Sequence, residues 1–169
     1  MYILYGLIFT VFLAVDQITK YFAVDLLQGN PSVHIIGNFL RFTYVENRGA
    51  AFGILQNQRL FFIISTIILV AFLIYLIAFN KKVTNPTKLT LSLILSGAIG
   101  NFIDRVRLGY VIDFVDVRFG DLYDFPVFNV ADSCLVVGVI FLVILIIFNK
   151  FEKSEINGWN KTNFWRKWY

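Results

Sequence analysis

The chain is poor in charge and in the side chains that usually carry soluble-enzyme chemistry. Of 169 residues, 15% are Asp, Glu, Lys or Arg, and there is one histidine and one cysteine; soluble domains average about 25% charged residues. The lone Cys134 excludes a disulfide-stapled secreted domain, sets no redox compartment, and without a partner histidine reads as buried helix packing. The lone His34 leaves no paired-histidine zinc helix and little basis for a serine-histidine triad. No basic residue precedes the first apolar run, and Asp16-Gln17 follows it where a cleavable signal peptide would carry small residues, so this run is expected to be retained. Ser96-Gly97-Ala98-Ile99-Gly100 lacks the Lys-Ser/Thr element of a phosphate loop and reads as a small-residue face for close helix approach. Internal repeats and low-complexity linkers are missing too. The net charge of +4 is scattered between apolar runs, with no continuous stripe for nucleic acid.

What is abundant is apolar. The chain is 58% hydrophobic with 19 phenylalanines, and its mean hydropathy is +0.71. That excludes a disordered chain, overfills one small core, and suits about four helices of roughly 20 residues, the length that crosses a hydrocarbon layer about 30 Å thick. The expected fold is an all-α polytopic membrane protein, a single membrane domain over 1–169, with helices near 2–24, 60–79, 88–108 and 129–148. The 25–58 connection is long for a structureless loop. In it Leu40, Phe42 and Tyr44 alternate with Arg41 and Thr43, and Gly29-Asn30-Pro31, Gly37-Asn38 and Asn47-Arg48-Gly49 supply turns. A small β-rich region at the outer surface between helices 1 and 2 is expected.

Orientation follows from cations in short loops. Lys81, Lys82, Lys88, Lys150, Lys153, Lys161, Arg166 and Lys167 fall on one side. On the other, Arg41, Arg48, Arg59, Arg105, Arg107 and Arg118 are offset by seven acids. Both termini are therefore expected to be cytoplasmic. In the 150–169 tail, Trp159, Trp165, Trp168 and Tyr169 beside basic residues fit either an interfacial anchor or a solvated end.

With that topology, polar groups from four segments meet at one depth. Asp16 lies about 12 Å below the outer end of the first helix with Lys20 one turn above it. Asn101, Asp104 and Arg105 share a face of the third helix, Asn129 and Asp132 share the first turn of the fourth, and Asp113 lies in the connection between those two helices, which stays near the outer surface. Ionisable groups in lipid cost about 2.5–3.5 kcal/mol, so they mark a protein interior or a wet cavity. Asp16/Lys20 and Asp104/Arg105 also fit structural ion pairs, and Asn101, Arg105 and Asn129 also fit interhelical ties. Asp113 and Asp132 have no basic residue at helical spacing. Two such carboxylates in a low-dielectric place share a proton, and can activate water and protonate a leaving amine without metal or cofactor. Asp116, Asp121 and Asp124 remain alternatives for dyad membership.

Five motifs carry a resemblance: Asp16-Gln-Ile-Thr-Lys20, Glu46-Asn-Arg-Gly-Ala-Ala-Phe52, Gly100-Asn-Phe-Ile-Asp-Arg105, Val111-Ile-Asp113-Phe-Val-Asp116 and Phe128-Asn-Val-Ala-Asp132-Ser. In this order, across roughly residues 10–149, they resemble the lipoprotein signal peptidases (signal peptidase II) of bacteria. The resemblance implies a four-helix aspartyl endopeptidase of the cytoplasmic membrane, acting on diacylglyceryl-modified prolipoproteins. It implies Asp113 and Asp132 as the catalytic dyad, and Asp16, Lys20, Asn47, Gly49, Asn101, Arg105 and Asn129 as residues that bind substrate or support the site. Ser96 departs from the small Gly or Ala common there, and the tail beyond Lys150 matches nothing in the pattern. Three rivals stay open: an ion-conducting protein, a magnesium-dependent lipid phosphotransferase suggested by Gly109-x-x-x-Asp113-x-x-Asp116, and a noncatalytic helical assembly factor.

Overall fold

The apolar runs wind into four helices long and apolar enough to cross a membrane: α1 (Tyr2–Leu27), α2 (Arg59–Ile74, continued by one π-helical turn over Tyr75–Phe79), α3 (Asn85–Arg107) and α4 (Val130–Ile147). The computed structural model describes residues 1–49, 54–120 and 123–153. The aromatic tail residues Trp159, Trp165, Trp168 and Tyr169, the motif residues Ala50, Ala51 and Phe52, and Asp121 lie outside the described residues.

Helix ends move where local chemistry overrides the apolar count. α1 runs past residue 24 to Leu27 and takes in Asp25, whose exposed carboxylate breaks no packing. α3 starts three residues before the expected 88, because Thr84 caps it by accepting from the Thr87 N–H and Pro86 sits in its first turn. α3 is the central helix and touches the other three. Half of its most apolar window is buried, against 11–17% for the others, which leave their apolar faces outward. Its lower hydropathy, 1.3 against 3.0 for the α2 span, follows from that position: its polar side chains face protein. Ser96, Gly97, Ala98 and Gly100 are all buried on it, as the small-residue run predicts.

The sheet is larger than the sequence pattern suggests. β1 (Val33–Ile36) and β2 (Leu40–Asn47) come from the 25–58 connection as expected, and form a hairpin turned at Gly37, whose φ of +47° is the left-handed region that glycine tolerates. β3 (Val111–Phe119) and β4 (Tyr123–Asp124) extend the antiparallel order to β1-β2-β3-β4, so the connection between α3 and α4 supplies half of the strands. The region is thus not confined to the span between helices 1 and 2. Val111-Ile-Asp-Phe-Val lacks a clean polar alternation because β3 is covered on both faces, and Val111 to Phe114 are all buried. Ile112 and Phe114 pack with Ala23 and Leu27, pinning the sheet to the end of α1.

Candidate active site

Two backbone devices present Asp113 and Asp132. In the β2–β3 pairing Val45 lies opposite Asp113 and Asn47 opposite Val111, which puts Asn47 diagonal to Asp113 on the same sheet face. The Asn47 amide accordingly donates to Asp113 Oδ2 at 2.9 Å. Asp132 stands at the third position of α4 in a reciprocal cap: its backbone N–H donates to Asn129 Oδ1 at 2.8 Å, and its Oδ2 accepts from the Asn129 N–H at 3.2 Å. Asn129 and Asn101 connect the two carboxylates. Asn129 Nδ2 donates to Asp113 Oδ1 at 2.7 Å and to Asn101 Oδ1 at 3.1 Å, and Asn101 Nδ2 donates to Asp132 Oδ1 at 2.7 Å. Every oxygen of the pair is thus held by an amide.

Behind this layer lies a buried charge cluster. Lys20 Nζ is 3.0 Å from Asp16 Oδ2 and 2.8 Å from Asp104 Oδ2, and it donates to Asn101 Oδ1 at 3.0 Å. Asp16 Oδ1 accepts from the Ala131 N–H at 2.8 Å, and Asp104 Oδ2 from the Ile112 N–H at 3.2 Å. Those two N–H groups belong to the residues immediately before Asp132 and Asp113. The cluster therefore fixes the backbone of both acidic residues while it satisfies its own charges. Asp104 pairs with Lys20 and not with its neighbour Arg105, correcting the pairing that adjacency suggested. Arg105 instead donates to the Gly49 carbonyl at 3.1 Å and lies 4.5 Å over the Phe62 ring.

Asp113, Asp132, Asn47, Gly49, Asn101 and Arg105 line one cavity of about 720 Å³. Its remaining wall is largely apolar, including Phe125, Pro126, Phe128, Leu135 and Val136. Asp16, Lys20 and Asn129 stand behind it. Burial, followed by the charge of Asp132, pushes the Asp113 carboxyl up from 3.8 to about 7, against the opposing pull of the Asn47 and Asn129 amides and Lys20. Among the described residues the buried carboxylates Asp16, Asp104 and Asp116 each have a cation, whereas Asp113 and Asp132 make no ion pair. Asp116 is taken by Arg41 and Arg118, and Asp124 by Arg118. His34 is exposed on β1 with Nδ1 against the Gly37 carbonyl, and Cys134 is buried in α4.

Two contributors carry no signal of their own in the sequence. Gln17 Nε2 donates to Asp16 Oδ2 at 3.1 Å and to the Gly100 carbonyl at 3.4 Å, tying α1 to α3. Arg59 donates to the carbonyls of Arg105 and Val106, both at 2.8 Å, and so caps α3 from the start of α2. The glycine at position 100, in contrast, is readable as a close approach: a Cβ there would sit 2.5 Å from Asp16 Oδ2 and 3.1 Å from the Ala131 Cβ. Both neighbours are held fast, so Gly100→Ala should destabilise the fold by about 1–3 kcal/mol. Thermal unfolding in detergent checks this, and an unchanged midpoint would contradict the packing.

The sequence matches the family model described as signal peptidase (SPase) II over residues 8–148. The lipoprotein signal peptidase of Caldanaerobacter subterraneus subsp. tengcongensis is 54% identical over 142 residues, 83% of this chain and 92% of the relative. That of Enterococcus faecalis is 42% identical over 161 residues, 95% and 97% of the two chains. A solved structure described as a bacterial membrane enzyme superposes with a TM-score of 0.77 at 39% identity, covering 89% of this chain and 93% of its own.

Proposed function

Because the chain belongs to the signal peptidase II family, we propose that it is an aspartic endopeptidase that removes signal peptides from prolipoproteins, cutting before the diacylglyceryl-modified cysteine. The observation that carries this reading is the pair of cation-free carboxylates, delivered by a strand and a helix to one cavity and held by amides. Asp113 holds the proton shared by the pair, in keeping with its nearly complete burial. Asp132 takes a proton from water as the water oxygen attacks the scissile carbonyl, and Asp113 donates its proton to the carbonyl oxygen. Collapse of the tetrahedral gem-diol breaks the C–N bond: the proton held by Asp132 passes to the leaving amine, and one hydroxyl returns its proton to Asp113, leaving a carboxylic acid and a dyad with its single shared proton restored. Asn101 and Asn129 keep the carboxylates apart and aligned, and Asp16 and Lys20 with Asp104 hold the backbone behind them.

The whole chain acts as one membrane domain with both termini on the cytoplasmic side and the dyad near the extracytoplasmic face. At that depth a diacylglyceryl group anchored in the bilayer presents its cysteine to the carboxylates. The apolar cavity wall takes the signal peptide, and Asn47, Gly49 and Arg105 with the 25–58 region grip the lipid-modified end. Purified protein in lipid should cleave a diacylglyceryl-modified prolipoprotein and leave the unmodified precursor intact, in excess chelator as well as without it. Equal cleavage of both precursors, or loss of cleavage with chelator, would overturn the reading.

The lifted Asp113 carboxyl gives two pH dependences. Cleavage should fall as pH rises through about 7, when the shared proton is lost. For stability, the folded state binds the Asp113 proton more tightly than the unfolded chain between about 3.8 and about 7. This contribution is full below the lower value and lost as pH rises through the upper one. The unfolding midpoint of the wild type should therefore drop from about pH 5 to about pH 8 by more than that of Asp113→Asn, which lacks the group. Parallel drops in the two proteins would count against the protonated Asp113.

A further inference from the structure

We propose that the end of the bundle opposite the dyad binds the phosphate of an anionic phospholipid headgroup, at the place where Lys88 of α3 meets Tyr2 and Tyr5 of α1 and the Lys153 segment. Lys88 and Asn101 lie thirteen residues apart on α3, about 20 Å along the helix, so this place is separate from the cavity and binding there is independent of the peptidase activity.

Lys88 is 6% exposed, and among the described residues it has no acidic partner. Its Nζ lies 5.9 Å from the centroid of the Tyr2 ring. The charged neighbour that acts on it is Lys153, of the same sign. The stem of Lys88 is packed while its ammonium reaches the surface, since among the described residues no buried side-chain nitrogen lacks a hydrogen-bond partner; an accessible ammonium held beside a second cation attracts an anion. The other buried lysine, Lys20, has two carboxylates within 3.0 Å. Among the described residues nothing comparable stands at Lys88. The first turn of α3 contains no acid to complement the positive end of its helix dipole. Asn85 Oδ1, the amide acceptor on that turn, is already taken by the Tyr5 hydroxyl at 2.8 Å.

The surroundings select a lipid as the source of the phosphate. Lys88 is in the first turn of a membrane-length helix, which is headgroup depth. Residues 80–88 and 148–155 carry Lys81, Lys82, Lys88, Lys150 and Lys153 against two acids, Glu152 and Glu155. Glu152 lines a cleft with Ile146, Asn149 and Phe151, which Lys88 does not reach. Met1, Tyr2 and Ile3 are exposed apolar surface beside Lys88, where acyl chains can lie. Free phosphate would gain the charge contacts alone. Basic pockets between membrane helices are a recurrent receptor for anionic headgroups.

The test uses the full chain in nanodiscs of phosphatidylcholine, with and without phosphatidylglycerol, reading the unfolding midpoint and the lipids retained in native mass spectrometry. The wild type should retain phosphatidylglycerol over phosphatidylcholine by about tenfold or more, and should unfold at a higher temperature when it is present. Lys88→Met should lose both effects while unfolding no lower than the wild type in phosphatidylcholine alone, because methionine keeps most of the packed apolar stem and removes a cation that repels Lys153. Lys153→Gln should weaken the preference, and it carries the test if Lys88→Met fails to fold. Millimolar inorganic phosphate should leave the midpoint unchanged. Equal retention of the two lipids by the wild type, a preference untouched by the variants, or a full shift from phosphate alone would each overturn the proposal.

Discussion

Asp113→Asn and Asp132→Asn should each lower prolipoprotein cleavage by at least about a thousandfold. In the proposed mechanism each removes one half of a proton exchange: without Asp132 water would have no base, and without Asp113 the carbonyl oxygen would have no proton source. The pair acts as a unit, so the double variant should be little slower than either single one. Asparagine retains the shape of the side chain and one acceptor oxygen. In Asp132→Asn the bond from Asn101 can persist while the Asn129 N–H loses its partner; in Asp113→Asn one of the two amide donors meets an amide. Both changes therefore cost about 1–2 kcal/mol of stability, far less than the loss of rate. Asp116→Asn is the matched control. The Asp116 carboxylate is held by the Arg41 and Arg118 guanidiniums and lies outside the cavity lining, so its loss should leave cleavage near the wild-type rate. Wild-type-like cleavage by either dyad variant would sink the assignment.

Lys20→Met should destabilise the protein by about 3–5 kcal/mol, the cost of leaving buried carboxylates without their cation. Lys20 is 2% exposed between Asp16 and Asp104, which are 1% and 4% exposed. Removing the ammonium leaves two buried acids facing one another across the gap it filled. They must then take up protons, or water must enter, and either weakens their grip on the Ala131 and Ile112 N–H groups. Activity should fall with stability, because those N–H groups set the backbone just before Asp132 and Asp113. Adding Asp16→Asn and Asp104→Asn to Lys20→Met should recover much of the lost stability, since the triple variant buries no net charge and retains acceptor oxygens for both N–H groups. Unfolding in detergent measures both changes. A single variant as stable as the wild type, or a triple variant no better than the single, would contradict a compensated buried cluster.

The legible part of the fold is the part governed by short range and by membrane thickness. Four apolar runs near the length of a hydrocarbon layer identify four spans, because an unpaired backbone in lipid leaves helix as the solution for such a run. Asn129-x-x-Asp132 is a local cap, and its four residues contain both halves of the reciprocal bonds. The alternation of Leu40, Phe42 and Tyr44 reports β2 because one face of that strand packs against the sheet's apolar cluster. β3 escaped the same reading because both of its faces are covered, which erases the two-residue period.

The apolar spans, the scarcity of charge that makes each acid conspicuous, and the family pattern containing Asp113 and Asp132 are all written in residue order. Which acids are neutralised is not, and packing settles it. Asp104 pairs with Lys20, 84 positions away, and not with adjacent Arg105, and Asp116 pairs with Arg41 across the β2–β3 register. The reason is geometric: consecutive residues on a helix point about 100° apart, while helix packing brings Lys20 to 2.8 Å from Asp104. Once those partners are assigned, Asp113 and Asp132 make no ion pair among the described residues, and both open onto the same cavity.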